Sequence, residues 1–136
     1  MYEEGHGVSK DYKTAVKWHT LAAKQNNAFS QNQLGGMYKK GLGVPQNHKT
    51  AAVWYRAAAE QGYAAGQVNL GIMYFIGAGV QEDYVIANMW GTLAASKEDE
   101  MGARLKSDVE QFMTPSQIEK SQDLARECIR KKYKGC

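Results

Sequence analysis

Shifted by 36 positions, the sequence lies on itself without a gap. Met1, Met37 and Met73 align, then Tyr2, Tyr38 and Tyr74, Gly5, Gly41 and Gly77, Gly7, Gly43 and Gly79, and Val8, Val44 and Val80. Ala15, Ala51 and Ala87 follow, then Trp18, Trp54 and Trp90, and the Ala-Ala pairs at 22–23, 58–59 and 94–95. Nine positions are thus identical in all three copies, and they include every tryptophan of the chain. Self-similarity at this period marks a repeat array, in which one unit cannot bury its faces alone and relies on its neighbours. The 136 residues divide into an incomplete unit 1–27, two full units 28–63 and 64–99, and a divergent unit 100–136. The whole is expected to be one repeat domain.

Each full unit reads as helix, Gly-rich turn, helix, short turn. The spacing predicts helix A of the second unit over 28–40, with Gln31, Leu34, Gly35 and Tyr38 on one face. Gly41 ends it, because glycine accepts the left-handed conformation that closes a helix. Asn47, Asp83 and Asp11 are suitable N-caps for the B helices. Helix B then turns Ala51, Trp54, Ala58 and Ala59 inward. Gly35 and Gly71 stand where A and B should touch most closely, and Trp18, Trp54 and Trp90 are expected to fill the gaps between successive hairpins. The fold class is therefore all-α, a stack of antiparallel helix pairs.

The run Ala64-Ala65-Gly66-Gln67-Val68-Asn69-Leu70-Gly71-Ile72-Met73-Tyr74 continues with Gly77-Ala78-Gly79-Val80, Asp83-Tyr84, Ala87, Trp90 and Ala94-Ala95. It resembles the Sel1-like repeat, a bacterial relative of the tetratricopeptide repeat. The resemblance covers residues 1–99 strongly. It implies a right-handed α/α superhelix (solenoid) of about three and a half repeats, acting as a scaffold or adaptor for protein partners without catalysis.

The last unit departs from the pattern: Lys106 replaces the leucine of Leu34 and Leu70, and no tryptophan follows. Thr114, Pro115 and Gln117 form the start of a further helix, with a capping box and proline at its first position. The unit reads as a C-terminal capping helix pair. At the other end most of the first helix A is missing, so Trp18 is expected to be partly bare. A longer parent protein explains this, and a homodimer closing the open N-terminal face is the alternative. The compartment follows the same fork: cytoplasmic if the chain is whole, periplasmic or secreted if a leader precedes Met1.

Catalytic signatures are lacking. The Gly-x-Gly turns have Lys10, Gln46 and Glu82 where a dinucleotide loop needs its third glycine, so they read as helix ends. His6, His19 and His48 have no second ligand at metal spacing, and no Ser-x-x-Lys or Gly-x-Ser-x-Gly occurs. No metal or cofactor is implied, and an unrecognised enzyme stays a remote alternative. Cys128 and Cys136 would stand about 12 Å apart on a continuous helix, too far to bond, whereas a tail folded back at Gly135 would allow it.

The net charge of +3 hides an asymmetry. The second unit has four basic and one acidic residue, the third one basic and four acidic. The acidic unit interrupts any basic stripe, so nucleic acid is not an expected partner. No apolar run approaches the roughly 18 residues of a membrane helix. Stepping about 100° per residue places Phe29, Gln33, Gly36 and Lys40, then Ala65, Asn69, Ile72 and Ile76, on the side of helix A away from B. The same register reaches Met101, Leu105, Asp108 and Phe112. Packing of one helix A on the next accounts for about half of the apolar ones, Ile72, Ile76, Leu105 and Phe112. By resemblance to tetratricopeptide grooves, the positions together are expected to line a concave groove that holds an extended or helical peptide, with Lys40 meeting an acidic group.

Overall fold

The computed structural model describes residues 6–136, with side chains from residue 11. Seven helices make up the described residues, which contain no strand: α1 (His6–Lys24), α2 (Ala28–Lys40), α3 (His48–Ala59), α4 (Ala64–Ile76), α5 (Tyr84–Ala95), α6 (Glu100–Glu110) and α7 (Pro115–Arg130). Residues 1–5, with Gly5, lie outside them.

Local chemistry sets the helix ends. Asn27, Asn47, Asp83 and Asp99 each accept a backbone N–H of the first turn and satisfy a donor that the helix leaves open. Gly41 and Gly77 close α2 and α4 with φ of 72° and 70°. Thr114 and Gln117 form the expected capping box. Asp11 differs. It lies inside α1, which begins at His6. Before Asn47 and Asp83 the chain is held off the helix path by a backbone bond to helix A, from Asn47 N–H to Tyr38 O and from Asp83 N–H to Tyr74 O. The counterpart of that carbonyl, in Tyr2, lies outside the described residues, and 7–10 continue as helix.

The hairpins stack through three repeated contacts. Gln31 and Gln67 are buried, and each donates from Nε2 to a carbonyl at the end of the preceding B helix, Ala23 O and Ala59 O, both at 3.2 Å. Second, the turn of one hairpin sits on the backbone of the previous B helix. A Cβ at Gly43 would stand 2.5 Å from Tyr12 O, and one at Gly79 2.2 Å from His48 O. The second glycine of each Gly-x-Gly is thus an inter-repeat contact as well as a turn residue. Third, Gly35 and Gly71 lie under side chains of the partner helix. A Cβ at Gly35 would come within 2.6 Å of the Tyr55 ring, and one at Gly71 within 2.7 Å of Leu105 Cδ2 on α6 and 3.3 Å of Trp90 Cβ.

The tryptophans do not share one environment. Trp90 is fully buried, Trp54 is half-buried and Trp18 is 62% exposed. The role expected of all three, filling the gap between hairpins, is met at Trp90 and not at Trp18. In the repeat 28–63 that body is Tyr55, 3% exposed, and not Trp54. The cause is α7. Instead of pairing with its chain neighbour α6, it packs on α5, where Ala125 and Cys128 join Met89, Trp90 and Leu93 in one buried cluster. The capping pair is therefore split: α6 continues the row of A helices and α7 covers a B helix. No such helix covers α3 or α1, so their tryptophans keep solvent contact.

A polar clasp holds α7 in place. Ser121 Oγ donates to Asn88 Oδ1 at 2.7 Å, and Asn88 Nδ2 donates to Lys106 O at 3.1 Å and Glu110 Oε2 at 3.2 Å. Beyond Arg130 the chain turns back through Lys132, Tyr133 and Gly135, all with positive φ, and Cys136 bonds Cys128 across a Cα separation of 5.6 Å. The folded-back tail, not a continuous helix, is the outcome. It sets the Tyr133 ring beside Gly62 and lets Lys97 Nζ donate to Tyr133 Oη at 2.9 Å. Structural disulfides persist in oxidising surroundings, which ties this anchor to the redox state around the chain.

Candidate functional site

The A helices form one wall. α2 touches α4 and α4 touches α6, while successive B helices among α1, α3 and α5 have no comparable contact. The A row is therefore the tighter, inner side of the curve, and hollows lie between its helices.

The groove has two parts. Between α2 and α4 lies a hollow of about 400 Å³, lined by Gln33, Gly36, Lys39, Lys40 and Asn69, with Tyr12, Asn32 and Leu42 at its edges. Tyr55 forms part of its floor. Its ring lies under Gly35, and its Oη would be 3.7 Å from a Cβ at Gly36. That hydroxyl has no hydrogen-bond partner among the described residues. Burial raises the phenol above its ordinary value of about 10, so it is a donor at neutral pH. Asn69 Nδ2 donates to Asn32 Oδ1 at 2.9 Å, which ties α4 to α2.

Asn69 also borders the second part, between α4 and α6. Two adjoining hollows of about 140 and 170 Å³ share Val68, Ile72 and Met101. Phe75 and Leu105 complete the apolar floor, and Arg104, Asp108 and Asp99 stand around it. The two parts are one contact written twice. Residues i and i+37 face each other across successive A helices: Asn32 with Asn69 in the first step, Val68 with Leu105 in the second.

Of the residues expected in the groove, Gln33, Gly36, Lys40 and Asn69 meet in the first hollow, and Ala65, Asn69 and Ile72 line the second part. Phe29 and Ile76 join neither. Phe29 turns its ring edge to His19 at the open end of the array, and Ile76 is 57% exposed at the end of α4. Leu105 is buried against the position of Gly71, and Phe112 stacks with Phe75 and Tyr84 at centroid distances of 5.7 Å. Tyr55, Asn32 and Lys39 were missed by the helical-face argument. The signal for Tyr55 was its departure from the repeat, since His19 and Gly91 hold the same position. Among the described residues no cluster of His, Cys, Asp and Glu suits a metal ion, and no helix is long and apolar enough to cross a membrane.

Stacked helix hairpins with an inner groove and repeated glycine contacts define an α/α repeat solenoid. The family model described as Sel1 repeat matches residues 1–27, 28–63 and 64–99, and the chain belongs to the Sel1 repeat family, whose fold is a right-handed superhelix of such hairpins. Among solved structures, it is similar to c5321, a protective antigen of uropathogenic Escherichia coli with an SLR fold, at 33% identity and a TM-score of 0.84 over 89% of this chain. A Sel1 repeat protein from Oxalobacter formigenes matches 68% of the chain at 39% identity with a TM-score of 0.65. The chain spans 27% and 37% of the lengths of those two proteins. No curated protein matches it by sequence. Sel1 repeat proteins are generally scaffolds for protein interactions and typically lack catalysis.

Proposed function

We propose that this chain is a non-catalytic adaptor that holds a segment of a partner protein along the groove of α2, α4 and α6. The observation that carries this reading is the convergence of Gln33, Gly36, Lys40 and Asn69 on one open hollow that continues, through Asn69, into an apolar one. Polar groups over an apolar floor suit an extended or helical peptide, whose side chains give specificity while the wall stays preformed. The test is a random peptide library selected on the chain. Bound peptides should be released by Asn69→Trp, which fills the groove, and retained by Val53→Trp on the outer face. Release by the outer variant and not by the inner one refutes the reading.

A second reading rests on Trp18 and Leu21, 62% and 48% exposed on α1. An indole so placed favours a self-assembling module in which two copies cover each other's α1. Sedimentation should then show concentration-dependent dimers that Trp18→Glu abolishes, and a monomer at every concentration disposes of it.

A further inference from the structure

Building on the groove reading, we propose that the ligand is a two-part peptide segment, with an acidic group seated between α2 and α4 and bulky apolar side chains between α4 and α6. The spacing between the parts follows from the 8–10 Å that separates packed helices.

Donors without acceptors mark the acidic seat. Lys39 and Lys40 bring two ammonium groups to the rim of the hollow, and among the described residues no carboxylate lines it. The end of α2 contributes only about half a negative charge against them. Tyr55 Oη opens onto the same space from a side chain that is 97% buried, and nothing among the described residues accepts its proton. The hydroxyl faces the open hollow at the end of a fixed ring, so a ligand oxygen seated there can accept its proton. Gln33 adds a free amide on the same side.

Apolar side chains replace those groups one repeat later. The Asn32–Asn69 pair gives way to Val68 and Leu105, and the position of Lys40 to Ile76. Asp99 and Asp108 border the second part, and the repeat 64–99 is net acidic. A carboxylate placed there meets like charge. Charge therefore fixes the seating as well as the class of ligand. Arg104 stands beside Asp108 on α6 and faces the apolar hollow, not the acidic seat.

Three short fluorescent peptides test this by anisotropy: a Glu block, a Gly-Ser spacer and a Leu-Phe pair; the same with Gln for Glu; and the Glu block with Gly-Gly for Leu-Phe. The Glu peptide should bind about tenfold or more tightly than the Gln peptide, the difference expected of charge-assisted hydrogen bonds. The double variant Lys39→Glu, Lys40→Glu should erase that preference. Tyr55→Phe, which keeps the ring under Gly35, should weaken the Glu peptide by about threefold or more. Ile72→Asp should weaken both Leu-Phe peptides and not the Gly-Gly one. Equal binding of Glu and Gln peptides, or a preference that survives both lysine reversals, overturns the proposal. If Ile72→Asp still releases the Gln peptide in that case, the groove reading stands and only the acidic seat falls. If no peptide binds, or neither Ile72→Asp nor Asn69→Trp alters binding, both fall.

Discussion

Removing the Asn88 side chain should release α7 from the array. Asn88 and Ser121 are both fully buried, and the 2.7 Å bond between them is shared by α5 and α7. Asn88→Ala strands the Ser121 hydroxyl away from water, at about 1–3 kcal/mol. It also removes the two Nδ2 bonds to α6 and leaves a void, so a total near 3 kcal/mol is expected. Ser121→Ala deprives only the Asn88 carbonyl, at about 1.5 kcal/mol. Because each single change already breaks the same bond, the double variant should cost about 1 kcal/mol less than the sum. Urea unfolding followed by circular dichroism measures all three, with hydrogen exchange of residues 115–130 reporting α7 alone. Effects that add within about 0.3 kcal/mol would refute the coupling, and with it the claim that this clasp positions α7.

Adjacent glycines should respond with opposite signs. Gly35→Ala drives a Cβ to 2.6 Å from the Tyr55 ring and should lower stability, since overpacking of about 1–3 kcal/mol exceeds the roughly 1 kcal/mol gained in helix propensity. Gly36→Ala meets nothing closer than 3.7 Å and should raise stability by about 0.5–1 kcal/mol; thermal midpoints moving in the same direction would contradict this. Tyr55 should make the chain sensitive to alkali. Its folded phenol is raised above about 10 by burial, so its contribution is intact below pH 10 and is lost as pH rises from there through the folded value, because the unfolded chain releases its proton first. Tyr55→Phe should flatten that part of the stability curve, and an unchanged slope would show that the phenol is not responsible. Reducing Cys128–Cys136, which closes a loop with a sequence separation of 8, should cost about 2.5 kcal/mol or less. It should also free Tyr133 from Lys97, seen as faster exchange confined to 131–136; protection unchanged after reduction would mean that the bond does not hold the tail.

Much of the array could be read along the chain. The period, the span of α2, the caps at Asn47, Asp83 and Thr114 and the closing glycines depend on residues within a few positions of one another. Half of the groove was equally legible. Gln33, Gly36, Lys40 and Asn69 follow from helical phase alone, and phase survives folding because α2 and α4 are regular. Phase alone did not set apart Phe29, which meets His19 of α1, or Ile76, which is exposed at the end of α4. Tyr55 was invisible to it, because its ring lies under a glycine of another helix and delivers its hydroxyl to the far side.

The sequence by itself determined a periodic stack of antiparallel helix pairs, since periodic identity and end caps are local or translational properties. Only the tertiary structure decided which tryptophan is interior, that α7 leaves α6 for α5, and that Cys136 returns to Cys128. Those outcomes depend on which surface a helix covers in space, and a repeat writes the same residue at covered and uncovered positions alike.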